Sequence, residues 1–172
     1  MKESVRMWVN PIRDNPTREA VDALIGYLAD RLNSVSLTNA GLVIKTGGSA
    51  LVKAGSIWYG LADGKLVKTA ANTDMAALSG TVTNATFNVF AHFITSAGTL
   101  STVMGTAAST LAGVVAPQKP IGSALIGYTI INPTGTGDFV GGTTAIDNAT
   151  VVPNVAYINA IGAFDSTMLL TK

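Results

Sequence analysis

At 172 residues the chain is long enough for one ordinary domain plus an appendage. Eleven Lys+Arg against ten Asp+Glu leave a net charge of +1, which gives no electrostatic case for a nucleic-acid groove or an anionic membrane. The absence of cysteine excludes disulfides and thiolate metal sites, and a single histidine is too few for a histidine metal centre.

Mean hydropathy is high, +0.40, yet every apolar run is broken by Gly, Thr, Ser, Asn or Pro well short of the ~18–20 residues that a spanning helix needs. No membrane insertion is expected. The charges are unevenly placed. After Asp74 only Lys119, Asp138, Asp147, Asp165 and Lys172 are charged, and Met75 to Gln118 contains none. A β domain with so little surface charge is expected to be covered by other protein chains, because interface cores are depleted in charge. The competing reading is a surface kept polar by Thr, Ser and Asn.

Residues 1–14 read as an N-terminal arm, with Met7, Trp8, Val9 and Ile12 set among Lys2, Glu3, Arg6 and Arg13. Pro11 and Pro16 block a continuous helix there. The arm lacks the unbroken apolar run of a signal peptide.

Residues 15–36 read as one amphipathic helix. Asn15 is a capping residue, Pro16 suits the first helical position, and Glu19 and Asp22 lie near the positive end. Val21, Ile25, Leu28, Leu32 and Val35 follow at spacings of four, three, four and three, the alternation of a heptad seam. Such a seam packs either on further copies of the helix or on the chain's own β body. Gly26 costs ~1 kcal/mol relative to Ala, so the helix needs one partner or the other.

From residue 37 to the end the period changes to two, and the fold class expected is mainly β: an antiparallel β-sandwich or barrel, jelly-roll-like, behind one N-terminal helix. The short runs GLVIKTGG at 41–48, SALVKAG at 49–55, SIWYGL at 56–61 and KLVKTA at 65–70 are strand-prone. Ala62-Asp63-Gly64 between Leu61 and Lys65 is a hairpin signal. Thr81 to Thr95 reads as one long strand or two, with Phe87, Val89, Ala91 and Phe93 on one face and Asn88, Phe90, His92 and Ile94 on the other. Both faces are apolar enough to be buried. Further strands are expected at Thr110–Ala116, Ala124–Asn132, Val151–Val152, Val155–Ile161 and Thr167–Leu170.

No catalytic constellation emerges, and neither an enzyme nor a cofactor is expected. His92 sits in an apolar strand with no carboxylate or nucleophile at a recognisable spacing, which is the setting of a core or interface histidine. Asp138, Asp147, Asn148 and Asp165 lack the alternation of a calcium loop and read as turn residues. The glycines of the stretch Gly135 to Gly142 miss the dinucleotide-binding pattern. Trp58 and Tyr59 are candidate sugar-stacking aromatics, although neighbours in a strand face opposite ways, so at most one of them is outward.

Two stretches, GSIWYGLADGKLVKTAANTDMAALSGTVTNATFNVFAHFITSAGTLSTVMGT and IGYTIINPTGTGDFVGGTTAIDNATVVPNVAYINAIGAFD, resemble the β-rich portion of structural proteins encoded by tailed bacteriophages. The resemblance covers roughly residues 40 to 165 and transfers no catalytic residue. It implies a virion protein on the capsid surface, assembled in the bacterial host cytoplasm: a homo-oligomer, by preference a homotrimer, of the capsid-decoration or head-fibre kind. Val21, Ile25, Leu28, Leu32 and Val35 would then form the oligomer interface. Met7, Trp8 and Ile12 would anchor the arm to the major capsid protein. The alternative is a tail-fibre or adhesin-like module that binds host surface glycans through loops around Trp58, Tyr59, Tyr128 or Phe139.

Overall fold

The computed structural model describes residues 16–132 and 136–162. The chain divides into two compact units, Met1–Leu32 and Asn33–Lys172.

The first unit contributes helix α1, Pro16–Asn33, eighteen residues and roughly 27 Å long at ~1.5 Å per residue. Pro16 opens it, where a missing N–H costs nothing, and Glu19 in the first turn and Arg31 in the last complement the helix dipole. Two contacts one turn apart brace the surface. Arg18 Nε lies 3.6 Å from Asp22 Oδ2, and the Arg31 guanidinium sits 5.3 Å over the Tyr27 ring while its Nη1 donates to the Tyr27 hydroxyl at 2.9 Å.

The helix ends two residues before the seam does. Val35 is in a short extended segment, not on the helix: it exchanges backbone hydrogen bonds with Leu61 at 2.9 and 2.8 Å, and the Leu37 amide donates to the Tyr59 carbonyl. The neighbouring serines fix this path. Trp58 Nε1 donates to Ser36 Oγ at 2.6 Å, and the Asp63 amide donates to Ser34 Oγ. Sheet pairing overrides the helical period at this point.

Among the described residues the second unit carries ten strands: β1 Leu42–Ile44, β2 Val52–Ala54, β3 Trp58–Ala62, β4 Lys65–Thr69, β5 Thr81–Val82, β6 Asn88–Thr95, β7 Leu100–Met104, β8 Ser123–Ile131, β9 Phe139–Val140 and β10 Ala156–Asn159. All pairings between them are antiparallel. A central four-stranded sheet has the order β10-β8-β6-β7, and β1-β2, β3-β4 and β5-β9 form two-stranded sheets. The protein is therefore mainly β behind one N-terminal helix. Its sheets are small, and none closes on itself among the described residues.

The β3–β4 hairpin turns at Asp63-Gly64, with Ala62 paired to Lys65 and both turn residues at positive φ, 52° and 71°. That is a two-residue turn whose twist suits the flanking strands. The stretch 81–95 makes two strands, β5 and β6. Residues 110–116 form no strand: Leu111–Gly113 is a single 3-10 turn and only Val115 bridges, to Thr106. Val151 and Val152 also lie outside any strand, and Thr167–Leu170 falls outside the described residues.

Strands β6 and β8 are buried on both faces, which explains their near-continuous apolar sequence. One face packs Phe90, Ile94, Ile126 and Ile131 against Leu42, Trp58, Leu78, Phe139 and Ile146 in the larger core. Phe90 and Phe139 meet edge to face, with ring centroids 6.1 Å apart. The other face packs Val89, Ala91, Phe93, Leu125, Tyr128 and Ile130 beneath Val114 and Leu111. A register shift between His92 and Phe93 lets the two strands keep both faces filled. Opposite it, Gly127 is needed for space, because a Cβ there would lie 2.3 Å from the Ile158 carbonyl oxygen and 2.7 Å from Leu42 Cδ1.

Candidate functional site

The helix seam is the first candidate. Val21, Ile25, Leu28 and Leu32 lie along one side of α1 and are 47–71% exposed. Leu24 and Tyr27, also exposed, flank that stripe and widen it. At 100° per residue these six side chains span an arc of about 160°, wider than the narrow seam of a two-stranded coiled coil. Asp22, Glu19, Gly26 and Asp30 occupy the opposite side. The sequence pattern singled out the four seam residues and passed over Leu24 and Tyr27. Their signal was position on the helical wheel, which a strict heptad count discards.

The aromatic candidates separate. Trp58 is fully buried, at 0% exposure, with its indole N–H held by Ser36, so it is a core residue and presents no face to a ligand. Tyr59, next along β3, faces outward. Tyr128 and Phe139 are buried as well. Of the four aromatics a glycan site would use, only Tyr59 is accessible. The anchoring residues Met7, Trp8 and Ile12 lie outside the described residues.

His92 is a structural group. Its ring is buried on the larger-core face of the central sheet, with Nδ1 2.9 Å from Thr102 Oγ1 on β7 and Nε2 2.9 Å from Thr129 Oγ1 on β8. The Thr102 hydroxyl spends its own proton on the Ala76 carbonyl, at 2.7 Å. Hence Nδ1–H donates to Thr102 and Nε2 accepts from Thr129, a chain of donors and acceptors that admits only one tautomer. Burial lowers the His92 pKa from 6.5 to about 3, so the ring is neutral at physiological pH. One histidine thus ties three strands together.

The loop aspartates are also tied down. Asp147 accepts the Gly48 amide with both carboxylate oxygens, at 3.1 and 2.9 Å, and joins loops 99 residues apart. Burial, and then the charge of Asp147, pushes the Tyr157 hydroxyl up to about 12. Asp138 accepts the Asn84 amide at 2.7 Å. Asp74 pairs with Lys45. Among the described residues no three His, Cys, Asp or Glu side chains gather as metal ligands, and no helix is long and apolar enough to cross a membrane.

A second surface emerges from the β3–β4 hairpin. Its inner face carries Trp58, Gly60, Ala62, Val67 and Thr69. The outer face carries Tyr59 opposite Lys68 and Leu61 opposite Leu66, with the 35–37 segment adding Val35 beside Leu61 and Leu37 beside Tyr59. Leu66 is 67% exposed. No protein-family model, curated protein or solved structure matches the chain.

Proposed function

We propose that this chain is a virion structural protein of a tailed phage, a homo-oligomer of the capsid-decoration or head-fibre kind with trimer as the preferred state. The observation that carries the assembly half of this reading is the helix: eighteen residues with six large apolar side chains exposed along one side. A helix of this length is marginal in water without a packing partner, and symmetric self-association supplies one. The width of the apolar arc favours three copies over two, since a trimer buries more of each helix. The virion half rests on the sequence resemblance between residues 40 and 165.

In this reading α1 aligns the copies, and the arm with Met7, Trp8 and Ile12 meets the major capsid protein. The β unit, a sandwich-like body built on the central sheet, faces outward. Three arms on one particle turn weak single contacts into tight attachment. Binding only to the assembled shell stabilises it by mass action. The glycan-binding alternative is weakened by the burial of Trp58, Tyr128 and Phe139.

Light scattering of the full chain and of an Ile25→Asp/Leu28→Asp variant tests the assembly. A trimer mass for the first and a monomer for the second is expected, and a monomeric full chain at micromolar concentration sinks the proposal. Cosedimentation with phage heads that lack the protein tests the virion half; a chain that stays in the supernatant at every head concentration rejects it.

A further inference from the structure

We infer that Asp63-Gly64 is a covalent modification site that the folded hairpin keeps closed: an isoaspartate-forming bond that reacts only when the β3–β4 turn comes apart. It is the one place in the sequence where glycine follows aspartate, and glycine nowhere follows asparagine. The reaction needs no enzyme. The Gly64 amide nitrogen bonds to Asp63 Cγ, a carboxyl oxygen leaves as water with the amide proton and a proton from solvent, and a five-membered succinimide forms. Water then opens the ring at either carbonyl carbon. Opening at the Asp63 main-chain carbonyl routes the main chain through the side chain and leaves isoaspartate, with no net change in mass. Glycine favours the step because no side chain crowds the attacking nitrogen, which sets this bond apart from Asp74-Met75 and Asp138-Phe139.

Both residues are exposed, so water reaches the bond. The fold opposes the reaction through the geometry of the turn and through its neighbours. Asp63 and Gly64 stand at φ 52° and 71° between the paired Ala62 and Lys65, a type I′ turn. Such a turn sets the Asp63 ψ at roughly +30°, which holds the Gly64 nitrogen on the far side of the Cα–C bond from Cβ. Ring closure needs the two on the same side. The Gly64 amide also donates to the Asn33 carbonyl at 2.8 Å, so the proton that must leave is engaged. The Asp63 amide donates to Ser34 Oγ at 3.2 Å, and its side chain lies beside Gly122, where an added Cβ would stand 3.6 Å from Asp63 Cβ and 3.8 Å from Cγ. Turning ψ to the reactive side carries the Gly64 amide away from Asn33 and breaks the pairing of Ala62 with Lys65.

The bond therefore reacts from states in which the turn has opened, locally or with the whole unit. The product does not go back. Isoaspartate adds a main-chain carbon to a two-residue turn whose twist matches its strands, so the modified hairpin loses both its register and the Gly64–Asn33 bond. One opening that lasts long enough to react converts a reversible excursion into a permanent change.

The experiment ages the full-length chain at neutral pH, folded in buffer and unfolded in guanidinium chloride. Isoaspartate is followed in the tryptic peptide Ala54–Lys65 by mass spectrometry with electron-transfer fragmentation. The expected rate is lower in the folded chain by at least about tenfold, and a smaller ratio overturns the inference. The Asp63→Asn chain repeats the comparison with a mass change to read, because asparagine suits the same turn position and forms the same ring with loss of ammonia; the same threshold decides it. Chains aged while unfolded and then diluted from denaturant are digested briefly with trypsin. The resistant, refolded fraction should be depleted of isoaspartate at position 63, and an undepleted fraction overturns the one-way step.

Discussion

Strand β6 and helix α1 are both rich in large apolar side chains, and the chain treats them in opposite ways. Phe90, Phe93 and Ile94 on β6 are buried, on two sides of one sheet, by residues of the same chain. Val21, Ile25, Leu28 and Leu32 on α1 are exposed. The difference lies in what each element can recruit. The strand has hydrogen-bonded neighbours on both sides, β7 and β8, and a layer on each face. The helix satisfies its backbone internally and keeps its apolar side exposed. The β unit buries its apolar strands with residues of its own, whereas the helix and the outer face of the β3–β4 hairpin keep large apolar side chains exposed.

Substitutions that deepen this contrast rank by where they fall. Trp58→Ala empties the largest fully buried side chain of the β unit and removes the indole N–H from Ser36 Oγ, which keeps its own bond to the Thr38 carbonyl. The cavity should cost ~3–5 kcal/mol of unfolding free energy, read as a fall in the urea midpoint; a loss below 1 kcal/mol would mean that the larger core is not a cooperative unit.

His92 should make the same unit sensitive to acid. The unfolded chain binds a proton at His92 near pH 6.5, whereas the buried ring resists protonation down to about 3. Its contribution is therefore complete above pH 6.5 and lost as the pH falls toward 3, by up to ~1.4 kcal/mol for each pH unit. In urea titrations from pH 7 to 4, the stability gap between wild type and His92→Gln should shrink steadily. A gap that is constant with pH breaks the assignment of a neutral, doubly bonded ring.

Gly127→Ala places a Cβ against the β10 backbone and Leu42. It should destabilise by ~1–3 kcal/mol and raise amide exchange in β10 before β6, since the clash lies at the β8–β10 seam. The smallest effect on the β unit is expected from Ile25→Asp/Leu28→Asp. With the chain dilute enough to be monomeric, the urea midpoint of the β unit should move by less than ~0.5 kcal/mol, while the oligomer mass seen at high concentration disappears. A large shift in the dilute midpoint would show that the helix is needed by the chain that carries it.

Several parts of this molecule could be read from the sequence. The Pro16 start and the spacing from Val21 to Leu32 determined a helix with an apolar side, because a period of 3.6 has no other economical use. Asp63-Gly64 determined the hairpin turn, because two successive residues at positive φ suit few other pairs. The doubly apolar run around His92 determined a strand buried on both faces. The charge-free stretch from Met75 to Gln118 had two readings, coverage by other chains or a polar uncharged surface. Inside the described body, β6 shows that part of it is covered by the chain itself.

Other features were decided only by tertiary structure. Val35 continues the helical spacing, yet two backbone bonds from Leu61 and the Ser36–Trp58 contact pull it into a sheet, and no local signal carries the strength of a partner 26 residues away. Trp58 and Tyr59 are adjacent, and only the packing decides which is core and which is surface. Thr110 to Ala116 is β-prone, but it lies over the second core as a turn, because Val114 and Leu111 are worth more packed on the sheet than paired in it. The two threonines that fix the His92 tautomer stand 10 and 37 residues away along the chain. Periodicity and turn chemistry act over a few residues and are written in the sequence, whereas register, burial and side-chain partners are long-range quantities that exist only once the strands have met.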